Sequence, residues 1–309
     1  MRQLLLAFLF FLHANSVHAS ENDTISFFEN AKTPLKKRTH LLNYTVAGLY
    51  PVSMSWLYTQ WYKDYPQSSF HFFNDNGEWM QMDKFGHFWD AYSIAKPLAA
   101  CYRWAGYDNR KSVLYSCGIA FAYQTTIEIF DGFSSEWGFS TGDVLCNTGG
   151  VALFGIQQLV WQEQRIKLKY SFAQSRYSKY RPGELGSSLP ENILKDYNGL
   201  TYWLTVNPWL FFKDRRYTPD WLCVSFGFGA DGMTGGSENP TEVDGKPIPS
   251  FRRTRQYYFS LDVDLTRIKT KSKFLKGAFR IINIVKLPCP ALEVLDNGTM
   301  KFHTVLFSN

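Results

Sequence analysis

Apolar residues dominate four stretches of the N-terminal half that are long enough for helices and are separated by short, turn-rich segments. The predicted helices cover residues 41–62, 82–105, 110–130 and about 140–167. Pro51 and Pro97 lie inside the first two, where each predicts a kink. Three or four apolar helices joined by short loops form a bundle. Small residues at Gly149, Gly150, Ala152 and Gly155 predict a face that another helix can approach closely.

From Thr201 onwards the apolar and polar residues alternate with a period of two, which predicts β-strands. In QYYFSLDVDL, Tyr257 and Phe259 fall on one face while Ser260 and Asp262 fall on the other. The segment WLCVSFGFG alternates in the same way. With residues 201–212 and 300–307 these segments make about four strands, each with one strongly apolar face. Residues 273–287 predict a basic amphipathic helix that ends before two prolines.

These patterns predict an α+β fold with an N-terminal, membrane-associated helical bundle of about four helices and a C-terminal antiparallel β-sheet of about four strands. The predicted segments are a signal peptide at 1–19, a polar lead-in at 20–40, the bundle with its polar motif at 41–168, a linker or surface arm at 169–200, and the β-rich domain with its amphipathic helix at 201–309.

The first residues have the composition of a secretory signal peptide. Arg2 precedes the apolar run LLLAFLFFL, and Val17-His18-Ala19 resembles a cleavage site. We therefore expect an exported protein of the periplasm or outer membrane. No cysteine follows that cleavage site, so lipid attachment to a new N-terminal cysteine is not predicted.

The composition favours a membrane lipid as partner and argues against nucleic acid. Aromatic residues make up 17% of the chain, and the formal net charge is +6. Aromatic rings suit the membrane interface, and basic clusters attract anionic head groups. Nucleic acid is not a plausible partner of an exported chain, and no protein partner is identified. A pairing of Cys101 with Cys117 is left open.

Ionisable residues are concentrated in otherwise apolar sequence between residues 82 and 155. Because consecutive helices of a bundle alternate in direction, the start of the second helix, the end of the third and the start of the fourth fall at one end. We therefore predict that their polar side chains converge. The candidate ligand-binding residues are Asp83, Lys84, His87, Glu128, Asp131, Asp143 and Asn147. Among these, the candidate catalytic residues are His87, Glu128 and Asp143.

Three interpretations of this cluster remain open. Lys84 and His87 suit a phosphate or a lipid head group, the ligand that we assign to an envelope protein of undefined activity. Alternatively, a membrane-associated hydrolase or transferase would act on a lipid or cell-wall precursor, with a divalent metal at His87 and the carboxylates. The third interpretation is a buried hydrogen-bonded network that sets helix register. No cofactor is predicted, since HExxH and CxxC patterns are missing, and metal is held open only for the second interpretation.

Three segments carry a resemblance to known families. The run DKFGHFWDAY, ExxDG at 128–132 and SxGDxxxNxxG at 140–150 resemble the YfiM-like family of predicted periplasmic or outer-membrane proteins of unknown function. More distantly they are similar to the VanZ-like family. The residues that match its pattern are Asp83, Lys84, His87, Glu128, Asp143, Asn147 and Gly150. The resemblance covers residues 45–165 and implies an envelope location and a helical bundle with a polar motif. An arginine that is common in that family before the last motif is missing from SSEWGFSTG, so its anion-binding role is not carried over.

Overall fold

The computed structural model describes residues 29–212 and 219–306, and the backbone divides into two compact units. The first unit contains the described residues up to Asp75 together with His87–Gln164. The second contains Asn76–Gly86 and the described residues from Arg165 onwards. The predicted signal peptide at 1–19 lies outside the described residues.

Four long helices form the helical part of the chain. They are α1 Lys36–Leu57, α2 Met82–Ala105, α3 Asn109–Gly132 and α4 Thr141–Val160. Two of their ends are set by side-chain caps, because Asp108 accepts a hydrogen bond from the backbone nitrogen of Lys111, and Ser140 accepts one from Asp143. Among the described residues, no helix combines the length and apolar content needed to cross a membrane.

The predicted number of helices was too low. The described residues form seven α-helices, and the two that the sequence analysis missed are α5 Pro182–Leu185 and α6 Leu189–Lys195. Both are shorter than the span over which a helical period becomes visible. The last is α7 Lys273–Ile282, the predicted basic amphipathic helix. Helix α4 ends at Val160, earlier than the predicted Lys167, which is part of a strand instead.

The second unit is built on a six-stranded antiparallel sheet with strand order β1-β2-β3-β6-β7-β8. The strands are β1 Ile166–Phe172, β2 Leu200–Val206, β3 Leu222–Asp231, β6 Thr254–Val263, β7 Cys289–Leu295 and β8 Met300–Leu306. Between β3 and β6, β4 Glu242–Val243 and β5 Lys246–Pro247 form a separate two-stranded sheet. Strand neighbours in the large sheet therefore follow chain order, and the connections between them contain only small helices, turns and the β4–β5 pair.

The prediction of about four strands was wrong by two, since β1 and β7 were missed. The sequence of β1, IKLKYSF, was divided between the predicted fourth helix, which ended at about 167, and the predicted linker at 169–200. Strand β7 begins after Pro288 and contains Pro290, a residue that argues against a strand, and its pairing with β8 shifts register there.

The sheet buries its polar face and exposes its apolar one. Ser225, Ser260 and Asp262 are buried, whereas Phe226 and Phe259 on the opposite face are each 49% exposed. The buried charges are paired, because Lys169 Nζ lies 2.8 Å from Asp262 Oδ2 and Lys167 pairs with Asp264. Two further groups complete this interior: Glu293 accepts from His303 at 2.7 Å, and Trp203 donates to Ser171 at 2.9 Å. The sheet interior is therefore a satisfied polar network around a small aromatic cluster of Trp203 and Tyr258.

Cys101 and Cys117 are free thiols, so the pairing that the sequence left open does not occur in the structure. Burial raises the pKa of Cys101 to about 12 and that of Cys117 to about 11. At about pH 8 we expect iodoacetamide to alkylate both at least about a hundredfold more slowly in the folded protein than in urea, because the thiolate is the reactive form. Mass spectrometry of the labelled peptides measures this. Resistance to alkylation that persists in urea until a reductant is added would show a disulfide instead.

Candidate functional site

Four of the predicted residues meet within the first unit, called the helical unit below. His87 comes from α2, Glu128 from α3, and Asp143 and Asn147 from α4. His87 Nδ1 lies 3.2 Å from Asn147 Oδ1 and 3.5 Å from Glu128 Oε1. On the other side of the ring, His87 Nε2 lies 3.8 Å from Asp143 Oδ1. The two ring nitrogens therefore face different partners, and the carboxylates are buried while the imidazole is 14% exposed.

The start of α4 orients both carboxylates. The backbone nitrogen of Ser140 donates to Glu128 Oε2 at 3.3 Å, and the Ser140 hydroxyl accepts from the backbone nitrogen of Asp143 at 3.1 Å. That hydroxyl in turn donates to Asp75 Oδ1 at 2.6 Å. Negative charge is stabilised at a helix N-terminus by the backbone N–H groups and the helix dipole. The loop before α4 therefore holds Glu128 and Asp143 beside the imidazole.

Gln124 belongs to the site and was missed by the sequence analysis. Its Nε2 donates to Asn147 Oδ1 at 3.3 Å, and both amide side chains are completely buried. Within the part of the chain that the structure describes, Gln124 Oε1 and Asn147 Nδ2 have no hydrogen-bond partner. The signal that would have found Gln124 is its position four residues before Glu128 on α3, which places both on one helix face.

Glycines in α4 bring that helix against α2. A Cβ built on Gly150 would lie 2.2 Å from the carbonyl oxygen of Phe88, and one on Gly149 would lie 2.7 Å from the Phe88 ring. Only glycine fits where two backbones come this close. The predicted small-residue face is thus confirmed at these two positions, and it carries Asn147, one turn earlier, towards His87.

The remaining predicted residues have hydrogen-bond or ion-pair partners of their own. Asp131 accepts a hydrogen bond from the Tyr62 hydroxyl at 2.7 Å. Asp83 and Lys84 lie in the first turn of α2, which clusters with the second unit. There Asp83 accepts from the Tyr197 hydroxyl at 2.6 Å and lies 3.4 Å from the buried Lys84 ammonium. Asp83 is also one helical turn before His87 and so shares its face of α2.

The composition of the site favours a cation. Two carboxylates and an amide oxygen surround a single imidazole. These groups are oxygen and nitrogen ligands of the kinds that zinc and related ions accept. Two ligands on one tetrahedral zinc at bonds of about 2.1 Å are roughly 3.4 Å apart, close to the separation between His87 and Asp143. On the opposite side, Asn147 and Glu128 are positioned to accept from Nδ1–H, as groups behind metal-bound histidines commonly do.

Comparison with known proteins agrees with an envelope location. Residues 71–158 match the family described as predicted periplasmic lipoprotein (DUF2279). This range includes α2, α3 and all but the last two residues of α4. No curated protein matches the chain significantly. No solved structure does so either.

The match supports the coarser part of the sequence interpretation. An exported protein of the periplasm or outer membrane is confirmed, and so is the resemblance at the level of a periplasmic family without a defined activity. The narrower YfiM-like and VanZ-like assignments stay predictions.

Proposed function

We propose that this envelope protein binds a divalent cation of the zinc type in its helical unit, with His87 Nε2 and Asp143 as protein ligands. The observation that carries the proposal is that the two ring nitrogens of His87 face different partners. Nδ1 faces Asn147 and Glu128, while Nε2 faces Asp143 at 3.8 Å. A proton held on Nδ1 by those acceptors leaves the Nε2 lone pair directed towards Asp143, which is the tautomer a metal ligand requires.

The alternative ligand, a phosphate or lipid head group, fits these surroundings less well. An anion at His87 would lie beside the carboxylates of Glu128 and Asp143. Both are almost completely buried, where like charges repel strongly. Lys84, which the sequence analysis assigned to such an anion, already lies next to Asp83. The same two carboxylates that repel an anion attract a cation.

A cation in this position would supply Lewis acidity and an activated water, the chemistry of the hydrolase or transferase that the sequence left open. The residues of this chain would contribute three things. Asp143 and His87 bind the ion, Glu128 and Asn147 fix the imidazole, and the partly exposed edge of His87 gives solvent access. Coordination positions that protein side chains do not fill are left for water or substrate.

We expect the purified exported chain to bind zinc, and Asp143→Asn to weaken that binding by about a hundredfold or more, because the replacement removes a charged ligand. Glu128→Gln should weaken it less, by roughly tenfold to a hundredfold, since that residue acts through the imidazole. Competition with a chromogenic zinc chelator measures the affinities, and elemental analysis measures the stoichiometry. Far-UV circular dichroism confirms that each variant is folded.

Asp131→Asn is the matched control. It removes a carboxylate from the same helix as Glu128, yet Asp131 is bonded to Tyr62. Its zinc affinity should equal that of the unmodified protein. Folded protein that takes up no zinc, or an Asp143→Asn variant with unchanged affinity, would contradict the proposal and favour the network that only sets helix register. Binding of inorganic phosphate that depends on His87 would favour the head-group interpretation.

A further inference from the structure

The pairing of the strands arranges exposed apolar side chains into a continuous row. Leu204 of β2 faces Phe226 of β3, and Phe226 faces Phe259 of β6. The row continues from Phe259 to Leu292 of β7 and from there to Phe302 of β8. At about 4.8 Å between strands, five strands give a row roughly 19 Å wide. All five side chains are exposed, up to 70% for Phe302.

Neighbouring rows extend the same surface. Phe228, Tyr257, Val294 and Met300 pair across β3, β6, β7 and β8, and Val224 faces Leu261. All of these side chains are exposed or half-buried. The resulting surface, called the apolar sheet face below, has apolar or aromatic side chains throughout these rows, and the guanidinium of Arg255 lies over the Phe228 ring, 5.4 Å from its centroid. Single exposed apolar residues are normal on protein surfaces, but here they are contiguous across several strands. A contiguous apolar surface of this kind marks an interaction site.

The buried side of the same strands explains why the apolar side is available. Side chains that alternate with the rows are enclosed in the polar interior, including Lys169, Asp262 and Glu293, each completely buried. Exchanging the two faces would require these charges to leave their partners, at a cost of several kcal/mol. The strands therefore keep their apolar residues outward. An apolar surface fixed in this way is available to an apolar partner.

Helix α7 adds positive charge to the same unit. Lys273, Lys276 and Arg280 recur at intervals of three and four residues and so share one helix face. The opposite face carries Phe274, which is 81% exposed, and none of the ten residues of α7 is buried. A basic face backed by an uncovered apolar face is the pattern of helices that lie at the surface of anionic membranes.

Helix α7 lies at the end of the sheet where an interfacial tryptophan is also found. It follows the 3-10 turn Leu265–Arg267 at the end of β6. The backbone nitrogen of Asp264 in this corner donates to the carbonyl of Trp221 at 2.7 Å, and the Trp221 side chain is 44% exposed. Tryptophan is enriched where membrane hydrocarbon meets water. One end of the sheet thus combines an exposed indole with the basic helix.

We propose that the apolar sheet face and α7 together bind the surface of a phospholipid membrane that contains anionic lipids. The apolar rows contact acyl chains, and Lys273, Lys276 and Arg280 contact head groups. Lipid fits better than a protein partner because protein interfaces carry about one hydrogen bond per 100–200 Å², and these rows offer few polar atoms beyond the Tyr257 hydroxyl for such bonds. The basic helix supplies charge complementarity to an anionic bilayer. The proposal is independent of the cation site and gives the chain a means of membrane attachment.

Vesicle co-sedimentation of the full exported chain tests the proposal. We expect binding to vesicles of phosphatidylethanolamine with phosphatidylglycerol, and weaker binding to phosphatidylcholine vesicles. Phe226→Ser with Phe259→Ser should weaken binding to both by about tenfold or more, because two aromatic side chains no longer enter the hydrocarbon. Lys273→Gln with Lys276→Gln and Arg280→Gln should weaken only the binding to anionic vesicles, by about tenfold or more, and remove its sensitivity to salt.

Two controls separate the apolar sheet face from general apolarity. Phe226→Leu with Phe259→Leu keeps the surface apolar and should bind like the unmodified chain. Leu114→Ser changes a residue on α3 that is 56% exposed, and it should leave binding unchanged. The proposal would be overturned if the folded protein bound neither kind of vesicle, or if the serine variants bound as well as the unmodified chain. A stable dimer that is lost in the serine variants, without vesicle binding, would identify a second copy of the chain as the occupant instead.

Discussion

Gly150→Ala is expected to destabilise the helical unit by about 3 kcal/mol or more and to abolish the geometry of the candidate site, because an overpacked helix contact must separate. The new Cβ would lie 2.2 Å from the carbonyl oxygen of Phe88 and 3.0 Å from the Cβ of Ala91. A backbone oxygen cannot move without moving α2, and α2 carries His87. The substitution should therefore also weaken zinc binding, although Gly150 contacts no ligand.

Gly118→Ala is the matched control for that substitution. Gly118 lies inside α3, and nothing lies within 4 Å of a Cβ built there. Alanine is the better helix former, so this variant should be as stable as the unmodified protein or up to about 1 kcal/mol more stable. Urea unfolding followed by the far-UV helical signal compares the two. Equal midpoints for both variants would show that the α2–α4 contact does not determine stability.

Lys169→Met is expected to destabilise the sheet by about 3–5 kcal/mol, because it leaves the carboxylate of Asp262 buried without its cation. Lys169 Nζ lies 2.8 Å from Asp262 Oδ2 and donates to the carbonyl of Val263 at 2.9 Å. Asp262 also accepts from Thr205 at 3.0 Å, but a hydroxyl does not neutralise its charge. Both partners of the ion pair are completely buried, so water does not solvate the carboxylate that remains.

The double variant Lys169→Met with Asp262→Leu separates charge from packing. Removing both charges should recover much of the lost stability, since the penalty comes from the unpaired carboxylate. Lys111→Met is the exposed counterpart: its ammonium is 3.8 Å from Asp108 and both side chains are more than half exposed. Its midpoint of urea unfolding should hardly change. If Lys169→Met shifts the midpoint of urea unfolding as little as Lys111→Met does, the buried ion pair is not critical for stability.

Much of the helical architecture was predictable from local sequence. Helix α2 has the predicted bounds, 82–105, and α3 differs from its predicted bounds by only one or two residues, since caps and glycines mark their ends. The approach of His87, Glu128, Asp143 and Asn147 also followed from alternating helix direction. What these residues bind remains a prediction, because residue types and spacing are compatible with a cation, an anion or a purely structural network.

Other parts of the site depended on tertiary contacts. Asp131 was grouped with His87 by its position at the end of α3, yet it is bonded to Tyr62. Gln124 was not predicted, because a neutral amide within an apolar helix gives no charge signal. Which ring nitrogen of His87 faces which partner likewise follows only from the packing of three helices.

By itself, the sequence determined the elements with a clear period: the long helices and the two faces of strands β2, β3, β6 and β8. Only the tertiary structure decided which face of the sheet is buried. Alternation defines two faces of a strand but not which of them is covered, because burial depends on residues far away in the chain. Lys167 and Lys169 in β1 enter the interior because Asp264 and Asp262 at the end of β6 are there to pair with them. That pairing directs the apolar side chains outward.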